Sequence, residues 1–337
     1  MTPRWRQGRY RRTLAFFMVA LPLSLLVGAA VGAYWIPPLD IPRVLWERLE
    51  GYVVLTQIRF PRVLLAALVG GTLGLSGAVL QGLFRNPLAD PGLVGVTAGA
   101  GFGAALWLVF FGGLGWAYLG LPLAAFVAGL LTTLLVWQLG QSGGRTHTAT
   151  LLLSGIALNS LSGAAIGLLI FLADDQQLRS LTFWTLGGFG GANWALVGLT
   201  APAMLLATLW LLRLGPGLNA LVLGEGEAYH LGIPVERLKR QAVVVSALGV
   251  GGAVAAAGGV GFVGLVVPHL FRLLAGPDHR YLLPGSFLGG AVLCVLADLL
   301  SRTVVAPAEL PVGVITTLVG GPFFLWLLLR YKREMHA

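Results

Sequence analysis

Residues 59–100 read RFPRVLLAALVGGTLGLSGAVLQGLFRNPLADPGLVGVTAGA, two glycine-rich apolar segments with a short polar turn, RNPLADPG, between them. Each apolar segment approaches the roughly 20 residues that a helix needs to cross the hydrocarbon core of a bilayer. Pro87 and Pro91 bias their predecessors, Asn86 and Asp90, away from helical backbone, so the chain turns tightly between the segments. The expected local structure is a pair of membrane-crossing helices joined by a proline-locked turn.

The rest of the chain extends this pattern. With 57% hydrophobic and only 10% charged residues in 337, and a mean hydropathy of +0.85, the composition excludes a soluble fold and places the chain in the membrane class. Ten stretches are candidate spans, near 14–35, 61–83, 93–112, 116–140, 149–172, 193–212, 240–257, 259–275, 284–306 and 312–330, the seventh and eighth nearly touching. The expected fold class is an all-α polytopic membrane protein of about ten transmembrane helices. No linker or low-complexity run interrupts them, so 1–337 reads as a single transmembrane domain, with 1–13 as a tail and 214–239 as a polar segment on the same side. Residues 69–84 (VGGTLGLSGAVLQGLF) echo residues 250–265 (VGGAVAAAGGVGFVGL). Opposite running directions for the two copies would make this an inverted internal repeat of the kind found in transporters.

Charge gives an independent check on the span map. Lys and Arg collect in cytoplasmic loops, and with the N-terminus inside, 16 of the 22 basic residues fall on the cytoplasmic side, including Arg9, Arg11, Arg12, Arg237, Lys239 and Arg240. Both termini are then cytoplasmic. The net charge of +9 is accounted for by topology, so nucleic acid is not an expected partner. The first span follows an arginine-rich start, but its apolar run exceeds the roughly 7–15 residues of a signal peptide and reads as an uncleaved anchor. A lone cysteine, Cys294, allows no internal disulfide. Glycines such as Gly70, Gly74 and Gly77, on one face of the second span, suit close helix packing in lipid. Pro268 should bend or break the eighth span.

The conjunction of Asn86, Pro87, Leu88, Ala89, Pro91, Gly92 and Gly95 in the turn resembles the permease subunits of bacterial ABC importers for haem, ferric siderophores and cobalamin. The resemblance runs from about residue 57 to 330, with APAELPVG (306–313) and GGPFFLWLLLR (320–330) as further motifs. It implies a multi-pass permease of the bacterial inner membrane, working as a homodimer with a path along the dimer axis. Two ABC ATPase subunits would sit inside and a periplasmic substrate-binding protein outside. The permease itself would not be catalytic; the chain has no phosphate-cradling Gly-Lys loop, so Mg-ATP would be hydrolysed by the partner subunit.

Site residues follow from the same resemblance. The turn would lie at the cytoplasmic end of the pathway, making Asn86 and Leu88 gate residues. A weakly binding corridor would use small and hydroxyl residues at the start of and along the fifth span: Thr148, Ser154, Asn159, Ser160 and Ser162. The segment 218–234, LNALVLGEGEAYHLGIP, resembles the paired short helices that couple such permeases to the ATPase, through Gly224, Glu225, Glu227, Ala228, Leu231 and Gly232. Arg59, Arg62 and Arg302 match arginines that accept acidic residues of the binding protein. Headgroup anchoring competes for the first two, and an i,i+4 pair with Asp298 competes for the third. Residues 174–179 (DDQQLR) resemble the haem branch, so haem is the expected cargo, with cobalamin or a ferric siderophore as alternatives. No permanently bound cofactor or metal is expected. Of the histidines, His147, His230, His279 and His336 map to the cytoplasmic side, and His269 reads as a packing residue beside Pro268.

Two other classes compete. An ion-coupled secondary transporter should bury ionisable groups deep in the bilayer, where this sequence offers little beyond Asp298 and His269. An intramembrane metalloprotease should pair ligands as in HExxH, a spacing that no two histidines approach.

Overall fold

A computed structural model describes residues 4–112 and 117–335. The first residues of the tail, the start of the fourth span and His336 lie outside the described residues. The helices in chain order are α1 (Arg4–Ala30), α2 (Ile41–Glu47), α3 (Phe60–Leu83), α4 (Val96–Phe111), α5 (Ala117–Leu139), α6 (Thr148–Leu172), α7 (Asp175–Leu186), α8 (Trp194–Leu211), α9 (Gly215–Leu221), α10 (Glu225–His230), α11 (Val235–Ala257), α12 (Val263–Leu274), α13 (His279–Ser301) and α14 (Val312–Met335). A two-stranded hairpin, β1 (Gln141–Ser142) and β2 (Arg145–Thr146), joins α5 to α6. Among the described residues, seven helices are long and apolar enough to cross a membrane, and Val96–Phe111, Val263–Leu274 and Val312–Leu327 are shorter apolar helices. These ten correspond to the expected spans.

The helix α3 is the axis of the bundle. It packs against α13, α11, α12 and α8, and 94% of its most apolar window is buried, against 11% for α6. Its glycines make this position attainable, because a Cβ on Gly70 would lie 2.2 Å from the Gly290 carbonyl oxygen, on Gly74 2.4 Å from that of Ser286, and on Gly77 1.8 Å from that of Gly264. In lipid, where apolar side chains gain nothing by leaving their solvent, such backbone contact supplies the packing energy.

Several boundaries differ from the sequence expectation. Helix α1 begins at Arg4, within the expected tail, since arginine is a good helix former; it ends at Ala30 and packs on α13. The interlude 37–58 is ordered by α2 and by a π-helical run, Val54–Arg59, that leads into α3. Residues 175–186 form α7 where a connection was expected. Its start is a capping box, with Asp174 accepting from Gln177 N–H at 2.8 Å and Gln177 Oε1 accepting from Asp174 N–H at 3.1 Å, the reciprocal arrangement that a D-x-x-Q sequence favours. The two echoing stretches do not share a local conformation. Residues 69–83 lie in continuous helix, whereas α11 stops at Ala257 before Gly258, where φ is 66° and a Cβ would lie 2.0 Å from the Trp184 carbonyl oxygen, and helix resumes only at Val263.

The turn after α3 does not stay at the helix ends. Pro91 packs on Gly264 beside the Leu73 carbonyl, and Leu73 precedes the last residue of α3, Leu83, by ten residues, a climb of about 15 Å at helical rise. Residues 86–95 therefore re-enter the bundle, which is why α4 is short. Non-helical backbone at such depth persists only where it is enclosed by protein or lines a cavity, and a cavity of about 320 Å³ lies there, lined by Leu73, Asp90, Thr97, Val250 and Phe262 among others.

The glycine contacts predict a steep asymmetry. Gly77→Ala should destabilise the protein by about 1–3 kcal/mol, read as a lower thermal midpoint in detergent. Gly198→Ala on α8, where a Cβ meets nothing within 4 Å, should leave the midpoint in place. Equal midpoints for the two variants would remove α3 from its axial role.

Candidate functional site

The start of α1, the end of α3, α9 and the starts of α11 and α13 meet at one end of the bundle, which carries Arg9, Lys239, Arg272 and Arg280 and is called here the basic face. Its turn holds Asn86 and Leu88, both exposed. Asn86 closes the turn on itself, its Oδ1 accepting from Leu88 N–H at 2.9 Å, while Asp90 Oδ1 accepts from Gly92 N–H at 2.8 Å. Of the corridor residues, Asn159 alone has a recorded bond to this turn, donating from Nδ2 to the Gly92 carbonyl at 3.1 Å. Ser160 is exposed and bonds back to Ile156 O at 3.0 Å within its own helix. Thr148, Ser154 and Ser162 are half-buried along α6. Asp90, carried into the bundle by the re-entrant turn beside Leu73 and Val250, was not singled out by the sequence reading, which expected the turn at the cytoplasmic end of the pathway.

The segment 214–239 forms two short helices, α9 and α10, and positive φ at Gly224 (119°) and Gly232 (81°) brackets α10. Ala228 is fully buried, whereas Glu227 is exposed and Leu231 and Tyr229 are 62% and 72% exposed. Glu225 is half-engaged, its Oε2 lying 2.7 Å from Lys239 Nζ. A second fastening lies at α9, where Asn219 donates to Asp278 Oδ1 at 2.7 Å and accepts from His279 N–H at 2.9 Å. Asp278 caps α13 and pairs with Arg280 at 2.7 Å. Burial works to raise its pKa, but the hydrogen bonds from Arg280 and Asn219 prevail and bring it down to about 2.

At the opposite face the three arginines are enclosed. Arg59 and Arg62 are only 4% and 7% exposed, which overturns headgroup anchoring. Arg59 donates to the carbonyls of Ala29 and Ala30, both at 2.8 Å, and to that of Tyr34; Arg302 donates to Val31 O at 2.7 Å and to Gly28 O. The last carbonyls of a helix have no intrahelical donor, and these two guanidinium groups close the end of α1. Arg62 bridges two acids, reaching Asp298 at 2.8 Å and gripping Glu309 through Nη1–Oε1 at 2.8 Å and Nη2–Oε2 at 2.9 Å. The Arg302–Asp298 pair is present at 3.4 Å. Glu309, which the sequence reading did not single out, keeps a side chain 46% exposed, and the hydrogen bonds from Arg62 hold its carboxyl below the usual carboxylate range.

Glu309 also borders a cavity of about 540 Å³, whose walls include Phe183, Trp184, Phe189 with the two glycines on either side of it, and Pro311. None of its lining residues is His, Cys or Met. The ring of His269, buried elsewhere, stands 6.0 Å from that of Phe323.

A glycine-packed helical bundle with a re-entrant turn, an internal cavity and a surface helix pair is the build of a membrane-embedded transport subunit. The FecCD transport family model matches residues 18–330, and the chain belongs to that family of ABC-importer permeases. It is 44% identical over 330 residues to the hemin transport system permease protein HmuU of Yersinia pestis, covering 96% of this chain and 97% of that one. Against the vitamin B12 import system permease protein BtuC of Citrobacter koseri it is 41% identical over 330 residues, covering 97% of each. A solved structure described as an inward-facing metal-chelate type ABC transporter superposes with a TM-score of 0.85 at 34% identity, over 95% of this chain and 99% of that one.

The capping acid yields a pH prediction. A carboxyl held at about 2 in the folded protein, below its ordinary value near 3.9, adds stability that is complete above about pH 4 and is lost as pH falls through about 2. Thermal midpoints in detergent should therefore fall over that window in the wild type, and less steeply in Asp278→Asn. Identical acid limbs would mean that the α9–α13 fastening carries no charge-dependent stability.

Proposed function

We propose that this chain is the translocating subunit of an ATP-driven importer, that it works as a homodimer with two ABC ATPase subunits and a binding protein, and that its cargo is haem. The observation that carries the ATPase partnership is α10. This short helix is anchored by buried Ala228, yet it and its flanks present Val222, Leu223, Tyr229 and Leu231, each more than half exposed, on the basic face. A water-facing apolar patch of this kind fits a protein partner, and the lack of a Walker-type loop assigns nucleotide hydrolysis to that partner. With both termini and α10 cytoplasmic, the opposite face is periplasmic.

Haem is favoured by two features. The hemin permease is a relative at 44% identity, and the mouth cavity offers Phe183, Trp184 and Phe189 beside a glycine-rich wall with no His, Cys or Met among its described lining residues. Such walls suit a flat apolar macrocycle that slides past and is not held through its metal. In the reconstituted complex, haem should accumulate only with ATP, the ATPase subunits and the binding protein present. Cobalamin or a ferric siderophore accumulating in its place would overturn the cargo. Uphill uptake by the permease alone on an ion gradient would overturn the whole reading in favour of an ion-coupled carrier.

The binding protein would dock on the arginine cluster of Arg59, Arg62 and Arg302, its carboxylate taking the place of Glu309 on Arg62. Reversing Arg62 would set a like charge beside buried Asp298 and leave it only the longer Arg302 contact at 3.4 Å, a change that itself destabilises, so Glu309 is the better probe. Glu309→Gln should tighten docking by about threefold at low salt and steepen its salt dependence. Titration of labelled binding protein onto nanodisc-embedded permease measures this, and an unchanged affinity at low and moderate salt would exclude Arg62 as a docking residue.

A further inference from the structure

Lys239 is a positively charged side chain buried at the base of α11, 4% exposed, and the functions assigned above make no use of it. Its ammonium has three donors, and all three are taken: by Glu225 Oε2 of α10 at 2.7 Å, by Glu236 Oε1 at 3.2 Å and by the Thr146 carbonyl at 3.0 Å. The other oxygen of Glu236 accepts from Thr146 N–H at 2.9 Å, so both backbone groups of Thr146 are held by this cluster. Thr146 ends β2, and its successor His147 precedes α6 and donates its N–H to Gly140 O at 3.1 Å. Three turns along α6, Asn159 holds the Gly92 carbonyl of the re-entrant turn. One buried cation thus joins the coupling helix, the base of α11 and the hairpin that starts α6.

We infer that Lys239 is the positioning residue that makes α10, the 141–146 hairpin and the basic end of α6 one mechanical unit, so that displacement of α10 by the ATPase reaches the turn at Gly92. The inference rests on the coupling role proposed for α10. Charge-assisted bonds to a desolvated ammonium are short and directional, and separating them leaves an unpaired charge in a poorly solvated place. Apolar contact alone would let the hairpin slip on α10.

Lys239→Met keeps most of the stem and removes the charge. In the full complex it should assemble and hydrolyse ATP within about twofold of wild type, because the exposed apolar face of α10 is untouched, while cargo moved per ATP falls about tenfold. Spin labels at Ser142→Cys and Gly226→Cys report the joint directly, native Cys294 being buried. Their separation should be the same with and without ATP in wild type, and should change with ATP in Lys239→Met. A purely structural lysine would lower yield, hydrolysis and uptake together and leave the separation fixed. Should Lys239→Met fail to assemble, Glu236→Ala, at a side chain 41% exposed, should show the same split at smaller size. Unimpaired uptake per ATP, or a constant label separation in these variants, overturns the joint and leaves the importer reading standing. A wild-type complex without ATP-driven uptake overturns both.

Discussion

Backbone contact at three glycines of α3 determines where everything else in this molecule can be. Gly70 and Gly74 seat α13, and Gly77 seats α12, each against a carbonyl oxygen that any side chain would displace. The seam continues past the glycines, since Gln81 donates to Gly264 O at 3.2 Å and accepts from Arg272 at 2.6 Å. At the far end of the same helix, Arg62 reaches Asp298 of α13. One rigid strut therefore connects the arginine cluster at one face to the re-entrant turn at the other, and its stiffness comes from close packing with little compressible space.

The two faces handle charge in different ways. At the arginine face, Arg59 and Arg302 serve the open carbonyls at the end of α1, and Arg62 serves Asp298 and Glu309. Only Glu309 of this group retains substantial exposure, so the acidic partner proposed to dock here would meet an occupied receptor and compete for it. At the basic face the charges lie within and beneath the surface helices α9 and α10, with Lys239 under α10 and Asp278 under α9. Their role there is to fasten surface helices to the bundle.

Much of this was legible in the sequence because it is written in composition and local pattern. Runs of apolar residues gave the spans, and glycines at 224 and 232 bracketed a helix between Glu225 and Leu231. What escaped depends on contacts between residues distant in the chain. Nothing near Arg59 or Arg62 says that carbonyls at 29–34 and acids at 298 and 309 will enclose them. The depth of Asp90 follows from the seating of Pro91 on Gly264, a pairing that turn chemistry alone cannot express. The capping box at Asp174 and Gln177 is different: it is a local signal, and the D-x-x-Q spacing by itself marks the start of α7.

Mobility must fall where embedding is least. Helix α3 is held along nearly its whole length, whereas 11% of the corresponding window of α6 is buried in this chain, and a second copy is the proposed cover for much of the remainder. An element exposed in this way can shift without opening the core, provided that something grips its end. The grip at that end is the hairpin clamped to Lys239 and Glu236, and the load at mid-helix is the Asn159 contact to the turn. Under the proposed coupling role, a pull on α10 would be resisted by the α3 seam and yielded to by α6, which would direct motion toward the cavity beside Asp90. Stiffness in the axial helix and compliance in the peripheral one are both needed, since a uniformly rigid bundle would block the stroke and a uniformly soft one would absorb it.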